Sequence, residues 1–469
     1  MRALFLTGVL SVLATGCSFT TAAGLEQCET SADCGQDQVC TERFCLPLPT
    51  GCGKRYGSED ANAIQFGALV PLSISTEPGA PVDASDEQAL NAMLLALEEV
   101  NQRTVGGKPI ALHFCDTAGD KERTKKQATW LVSDKKVAAV ITAGSSQTLS
   151  AAAVTVPQNV LTMSYSASSP ELTSLPDTNG GAVGLVWRTA PSDAIQGRVI
   201  ANLLRTDTTR FGTVKKVGIL YVDDPYGQGI YNIISERLTT TSPTVTNEGF
   251  SYARRGEVRS VLARLDAYDP DITVLMGFAD DAARILKEAS TFTNLKRAPD
   301  GNHRWFFSDS VKDATLLTDA LVSAQAQGFY GTAPAQGAGQ AFNTFSSRFS
   351  GKYQKNPAEY AYTSNAYDAM YLLALSAAWS QGTTQAVTGV KMAEGLTRVS
   401  SGTSSTTTQL TSSNFTYLAA ELAAGRSVNV EGASGRLDFD AAGEAPAPVE
   451  LWQVQDSRFV TIPPPIDPQ

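Results

Sequence analysis

From Ile64 onward the chain alternates short apolar runs with amphipathic stretches, and this alternation constrains the fold more than any other feature. Ile64–Val70 reads as a buried strand stopped by Pro71. Ala89, Leu90, Met93, Leu94, Leu97 and Val100 then mark one face of a helix, with Asp83 or Ser85 available as its cap. Residues 109–114 form the next strand, with Asp116 and Asp120 at its exit, and 121–132 the next helix, with Trp130 and Leu131 inward. Residues 137–142 and 160–163 supply two more strands. The rhythm restarts after Pro191, with helices at 195–204, 227–238, 257–265 and 280–289 and strands at 217–222, Ile272–Met276 and 305–307. Such units bury their strands as parallel sheets covered by helices on both faces. Two runs of similar size imply two α/β lobes. A barrel needs eight more evenly spaced units, and the Ser/Thr tract at 400–413 fits it poorly.

The late segments set the topology. Residues 342–353 and 360–378 read as helices completing the first lobe, whereas Leu437-Asp438-Phe439-Asp440 and Val449-Glu450-Leu451-Trp452 read as extended pieces of the second. The backbone then crosses near Thr189-Ala190, Phe329-Tyr330 and Val428-Asn429. Lobe one is expected over 63–189 with 331–427, and lobe two over 190–330 with 428–463, before a tail at 464–469. Several crossings make a hinge, and a hinge makes a cleft that closes on a ligand.

The chain begins Met1-Arg2 and runs directly into a short apolar stretch, the pattern of a secretory signal over residues 1–16 and too short to span a bilayer. Leu13-Ala14-Thr15-Gly16-Cys17 resembles the lipobox of bacterial lipoproteins, which implies cleavage before Cys17 and lipidation of its thiol. Ser18, where inner-membrane retention would call for Asp, favours the outer membrane. Setting Cys17 aside, Cys28, Cys34, Cys40, Cys45, Cys52 and Cys115 are an even set in an oxidising compartment, so three disulfides are expected among 15 pairings. No CxxC pair supports a metal instead. Five clustered cysteines cannot close on themselves. One of them, with Cys52 the nearest candidate, must reach Cys115 and staple a Cys-rich module and linker (17–62) to the main body. Cross-links must replace a core there, because large apolar residues are few.

Charge and residue types exclude several functions. A net charge of -10, from 37 basic and 47 acidic side chains, argues against a nucleic-acid partner. Two histidines, His113 and His303, make a histidine zinc site improbable, and neither sits in a nucleophile-base pattern. There is no GxSxG, metal-ligand cluster or phosphate loop in context, so no enzyme activity, metal or cofactor is expected.

Ligands of open α/β sheets sit beyond the carboxyl ends of the strands. In lobe one those ends lead into Gly144-Ser145-Ser146-Gln147 and Ser164-Tyr165-Ser166-Ala167-Ser168-Ser169-Pro170, small hydroxyl loops whose backbone N–H groups suit a carboxylate. Simple helix capping is the competing explanation for each loop alone. In lobe two the ends lead into Asp223-Asp224-Pro225-Tyr226-Gly227-Gln228-Gly229, Gly277-Phe278-Ala279-Asp280 and Ser308-Asp309. Tyr226, freed by the flanking glycine turn, or Phe278 would pack on a ligand's body and Asp309 would pair with an ammonium, while Asp280 reads as a cap. An anion-accepting wall facing an aromatic and acidic wall suits a zwitterion.

Four motifs in order carry a family resemblance. Ser168-Ser169-Pro170-Glu171-Leu172, Trp187-Arg188-Thr189-Ala190-Pro191-Ser192-Asp193, Asp224-Pro225-Tyr226-Gly227-Gln228-Gly229 and Gly432-Ala433-Ser434-Gly435-Arg436-Leu437-Asp438-Phe439-Asp440 are similar to segments of the leucine/isoleucine/valine-binding family of periplasmic proteins. The resemblance covers roughly residues 64–460. It implies a type I periplasmic binding fold, two Rossmann-like lobes with three crossovers, here preceded by the disulfide-rich segment. It also implies a monomeric, lipid-anchored, extracytoplasmic protein that hands a branched-chain or related amino acid, or a small amide-like solute, to an ABC importer permease. By motif, Ser145 and Ser168 would meet the carboxylate with help from backbone at Ser166 and Ala167, and Ser146 is a further ligand-binding candidate of the same loop. Ala167 and Ser168 would also help hold the ammonium, Tyr226 and Phe278 would close over the ligand, and Asp309 would be the ammonium-binding acid. A ligand sensor or surface interaction module on the same fold is the alternative, favoured by the extra Cys-rich module.

Overall fold

The computed structural model describes residues 26–35, 38–41, 43–296, 304–337, 339–400 and 407–467. Cys17 with its leader, His303 and part of the Ser/Thr tract lie outside these residues. No described helix is long and apolar enough to cross a membrane. The chain divides into two compact units, Met1–Leu48 and Pro49–Gln469.

In the small unit, β1 (Gln38–Thr41) and β2 (Phe44–Pro47) form an antiparallel hairpin in which Cys40 faces Cys45. Disulfides Cys28–Cys40 and Cys34–Cys45 tie that hairpin to the preceding turn. The sulfurs of Cys28, Cys34 and Cys45 come within 4.8 Å of one another, but all are spent in disulfides and leave no thiolate for a metal.

The large unit opens with β3 (Cys52–Gly57), followed by β4 (Ile64–Val70), α1 (Ala84–Asn101), β5 (Ile110–Asp116), α2 (Lys121–Ser133), β6 (Ala139–Thr142), α3 (Ser145–Thr155), β7 (Leu161–Ser164) and β8 (Val186–Arg188). Its first sheet has the order β3-β5-β4-β6-β7-β8, parallel except for the β3 edge. The third disulfide, Cys52–Cys115, joins residues paired across β3 and β5. Cys52 does reach Cys115, but the bond lies wholly inside the large unit and is no staple from the small module. The Cys-rich module ends before Cys52, because that residue already belongs to the sheet edge.

After the first crossover come α4 (Asp193–Thr206), α5 (Thr208–Phe211), β9 (Lys216–Val222), α6 (Pro225–Thr240), β10 (Thr246–Tyr252), α7 (Arg259–Tyr268), β11 (Ile272–Met276), α8 (Ala279–Ala289), β12 (Arg304–Phe307), α9 (Ala320–Ala326) and β13 (Tyr330–Pro334). The chain returns through α10 (Gln340–Tyr353), α11 (Thr363–Thr384), α12 (Gly389–Leu396), β14 (Thr408–Gln409), α13 (Ser412–Ala423), β15 (Val430–Gly432) and β16 (Gly435–Arg436). It ends in β17 (Val449–Gln455) and β18 (Arg458–Ile466). The second sheet is β10-β9-β11-β12-β13-β17-β18, with β17 and β18 antiparallel. Because β13 still belongs to it, the second crossover follows Pro334, later than Phe329-Tyr330. Because Leu437 and Phe439 pack into the first lobe's core, the last crossing lies between them and β17, later than Val428-Asn429.

The buried α11, with α1, α12 and α13, closes the first lobe around a core that includes Phe66, Met93, Tyr367 and Leu372. In the second lobe α4 and α6 cover one face of the sheet, and a cluster around Phe307 and Trp452 fills the other. One close approach explains a glycine of the last motif. A Cβ at Gly432 would come within 2.2 Å of the Asp368 carboxylate, which accepts from Ala433 N at 2.9 Å and Ser434 N at 2.7 Å.

The disulfide pattern is checkable. Non-reducing digestion is expected to yield a Cys52–Cys115 peptide separate from the Cys28–Cys40 and Cys34–Cys45 set. Replacing both Cys52 and Cys115 by Ser is expected to cost about 4 kcal/mol of unfolding free energy, read by chemical denaturation, for a bond closing 63 residues.

Candidate functional site

The carboxyl ends of both sheets open on one cavity of about 230 Å³ with walls from both lobes. On the first lobe it is lined by the start of α1 (Asp83 to Asp86), the start of α3 (Ser145 to Gln147), Lys121, Tyr165 and Ser166. On the second it meets Asp223, Asp224, Tyr226, Arg254, Phe278, Asp280, Ser310 and Asp313, and Tyr362 comes from the start of α11.

Helix α3 begins without a side-chain cap. Gly144 takes its N-cap position at φ +66, a conformation other residues adopt only with strain. The first-turn amides therefore have neither an intrahelical acceptor nor a capping oxygen. The flanking hydroxyls fasten the two serine loops together: Gly144 N donates to Ser166 Oγ at 2.9 Å, and Ser169 N to Ser145 Oγ at 3.1 Å. Ser146 is different. It is 6 % exposed, and its Oγ has no hydrogen-bond partner. A helix N-terminus with a free hydroxyl beside it is an anion-accepting wall.

The opposite wall is aromatic and charged. Tyr226 lies in the first turn of α6, whose N-cap Asp224 accepts from Gly227 N at 2.9 Å. Gly227 is thus part of a helix and no turn residue; its need is close approach, since a Cβ there would come within 2.1 Å of Val222 O. The Tyr226 ring packs 5.8 Å from that of Phe278, and the Arg254 guanidinium sits 3.7 Å over the Phe278 ring. Asp280 lies in the first turn of α8 and pairs with Arg255 at 2.8 Å, so it is no N-cap.

Of the residues expected at the site, Ser145, Ser146, Ser166, Tyr226 and Phe278 line the cavity, while Ala167, Ser168 and Asp309 do not. Ala167 and Ser168 are buried behind the wall, where their carbonyls accept from Arg188 and from Asp193 N. Asp309 is fully buried. Its carboxylate accepts from Tyr226 Oη at 2.8 Å, from Tyr362 Oη and from Ser310 Oγ at 3.1 Å, and it is not part of the cavity wall. It anchors two cavity rings, one from lobe two and one from the returning helix. His113 bonds Gln65 at 2.8 Å within the first sheet, and burial lowers its pKa to about 4.

Sequence reasoning missed Asp86, Tyr165, Arg254, Asp313 and Tyr362. Tyr165 Oη donates to Asp86 Oδ1 at 2.6 Å. Burial first, then the neighbouring Asp83, raises the Asp86 pKa to about 8. Ser85 at the start of α1 donates to Asp313 across the cleft, and Arg255 donates to Ile74 O, so the two lobes touch at the cavity rim. Asp86 follows the cap already recognised at Asp83. Arg254 was hidden because β10 is a polar edge strand with no apolar run to mark the loop it feeds.

A family model described as receptor family ligand binding region matches residues 88–457. The chemotactic signal transduction system substrate-binding protein BasB of Halobacterium salinarum is 26 % identical over 404 residues, covering 85 % of this chain and 88 % of that protein. Among solved structures, the leucine binding protein LivK of Thermotoga maritima matches with a TM-score of 0.67 at 17 % identity, over 87 % of this chain and 99 % of its own. The branched-chain amino acid transporter substrate binding protein LivJ of Streptococcus pneumoniae, in complex with isoleucine, matches with a TM-score of 0.63 at 19 % identity, over 85 % of this chain and 100 % of its own. A solute binding protein of an R. palustris ABC transporter, in complex with benzoate, matches with a TM-score of 0.61 at 16 % identity, over 86 % of this chain and 98 % of its own. These likenesses establish the two-lobed fold of periplasmic binding proteins.

Asp86 gives the cavity a pH signature. Its carboxyl is near 8 in the fold and about 4 in an unfolded chain. The folded state therefore holds a proton that the unfolded state releases, and stability falls as pH rises from about 4 to about 8. Asp83 and Asp313 push the same way, while Tyr165 and Arg254 oppose them. Asp86→Asn is expected to flatten this part of the thermal-stability profile, measured by calorimetric melting between pH 5 and 8.5. An unchanged slope would remove Asp86 as its source.

Proposed function

We propose that this chain, which belongs to the receptor family ligand binding region family, captures an amino acid between its lobes outside the cytoplasm and passes it to an ABC importer permease. The observation that carries this reading is the pairing of walls across one cavity. The uncapped α3 start with its free Ser146 hydroxyl receives a carboxylate, and the Tyr226–Phe278–Arg254 wall receives the rest of the ligand. Ser145 and Ser166 hold the serine loops in register. Ala167 and Ser168 act through the backbone behind the wall, and Asp309 acts through the two tyrosines it anchors. The isoleucine complex of LivJ supports an amino acid as ligand. Lipidation of Cys17 would keep the cleft at a membrane surface, with the chain otherwise a monomer.

A second reading, ligand sensing, is favoured by the relative named for chemotactic signal transduction and by the separate disulfide-bonded module at Met1–Leu48. Both readings use the same cavity and differ in the protein that reads its closure.

Calorimetric titration of the 20 common amino acids into the purified protein tests capture. At least one is expected to bind below millimolar concentration, and binding by none overturns the proposal. Ser146→Ala removes a hydroxyl with no partner in the fold, so stability should hold while affinity falls by about tenfold or more, the contribution of one hydrogen bond to a charged group. Equal affinity would remove Ser146 from the carboxylate wall.

A further inference from the structure

The cavity is lined by six carboxylates, Asp83, Asp86, Asp223, Asp224, Asp280 and Asp313, and by only two cations, Lys121 and Arg254. Asp280 is matched by Arg255. Arg254 is held on the Phe278 ring, its Nε has no hydrogen-bond partner, and it forms no ion pair among the described residues. Asp83, Asp86 and Asp313 likewise have no cationic partner within ion-pair distance among the described residues. Their contacts are neutral donors: Asp83 takes Asp86 N at 3.2 Å, Asp86 takes the Tyr165 hydroxyl, and Asp313 takes Ser85 Oγ together with Thr315 N at 2.7 Å and Thr315 Oγ1 at 2.6 Å.

Helix capping accounts for part of this. Asp83 is the N-cap of the 18-residue α1 and Asp86 lies in its first turn, where negative charge is favoured. Asp313, 5 % exposed, caps the 3-10 turn Ala314–Leu317 with one carboxylate oxygen, while its other oxygen accepts from Ser85 at the start of α1, a bond across the lobes that capping does not require. The cleft thus brings acidic groups of both lobes together. Asp86 keeps its proton at neutral pH and Asp280 is matched by Arg255, so Asp83, Asp223, Asp224 and Asp313 stand against Lys121 and Arg254, an excess of acid that a cationic ligand offsets. The opposite end of the charge layout is marked independently by Ser146, a residue of the same cavity wall that is nine-tenths buried and whose Oγ has no hydrogen-bond partner. A ligand's carboxylate has its place there, which leaves the acids for positive charge. One α-ammonium does not balance them.

We infer that the ligand is an amino acid carrying a second positive charge, an ammonium or guanidinium side chain, held where Asp83 and Asp86 of the first lobe meet Asp313 of the second. The inference rests on the amino-acid reading of the cavity. Specificity is set by this cross-lobe acidic end, and the aromatic rings of Tyr165, Tyr226 and Tyr362 give the cation a second kind of partner.

Titration of L-lysine, L-arginine, L-leucine and L-glutamate into the same full-length protein tests it. Lysine or arginine is expected to bind at least tenfold tighter than leucine or glutamate, with an advantage that shrinks as salt is raised. Asp83→Asn keeps a side chain that caps a helix equally well and removes the charge. It is expected to weaken the basic ligand at least fivefold without lowering the melting temperature; Asp313→Asn should act in the same direction on ligand affinity. Tightest binding of leucine or glutamate overturns the inference while leaving amino-acid capture in place. Binding of no amino acid overturns both, and basic ligands insensitive to both substitutions overturn the assigned subsite.

Discussion

Arg188 is the interaction on which the cavity depends. It ends the last strand of the first sheet, is 3 % exposed, and spends its guanidinium on four partners: Ala167 O, Ser169 O at 2.8 Å, Thr173 Oγ1 at 3.0 Å and the Glu444 carboxylate. Glu444 lies on the final return of the chain toward the second sheet, so this one buried pair joins the outgoing and the last returning strands of the hinge. A buried pair of this kind adds little over an apolar one but is costly to break, because either partner alone is an uncompensated buried charge. The carbonyls it holds belong to the loop whose Ser166 and Ser169 fasten the start of α3. The start of α3 is thus positioned from below by a buried cation that does not line the cavity.

The second lobe is built on the mirror principle, with a buried anion setting the rings. Asp309 accepts from Tyr226 and Tyr362, and burial keeps both phenols protonated well beyond neutral pH. Tyr362 starts the helix that re-enters lobe one, so the orientation of a lobe-two ring is tied to the returning chain. At the first crossover Thr189 and Asn365 exchange bonds, Thr189 Oγ1 to Asn365 O at 3.1 Å and Asn365 Nδ2 to Thr189 O at 2.8 Å. Motion about the hinge therefore moves the cavity rings with it.

The architecture was legible because parallel strands buried on both faces leave continuous apolar runs, as in Ile64–Val70 and Ile272–Met276. The β10 strand, Thr246–Tyr252, was not, since an edge strand with one solvated face carries polar residues. Missing it hid Arg254. The two late crossovers were placed early for a related reason: no composition change marks the passage of β13 or of Leu437 from one core to the next. At the site, the serine loops follow from asking where strands end, whereas sequence cannot show that Asp309 is buried against two tyrosines and lies off the cavity wall. Asp313 depends on the apposition of two lobes, which exists only in the folded chain.

The disulfides also divide along the boundary of the two units. Two bonds lie within residues 26–48, one lies within the large unit, and among the described residues none crosses. Apart from Cys17, which lies outside those residues, each part carries an even set of cysteines. The small module behaves as a cassette: a gene rearrangement that adds, removes or exchanges it strands no thiol and disturbs no pairing in the ligand-binding body. Such a chain can change its N-terminal module while its cleft stays under separate selection.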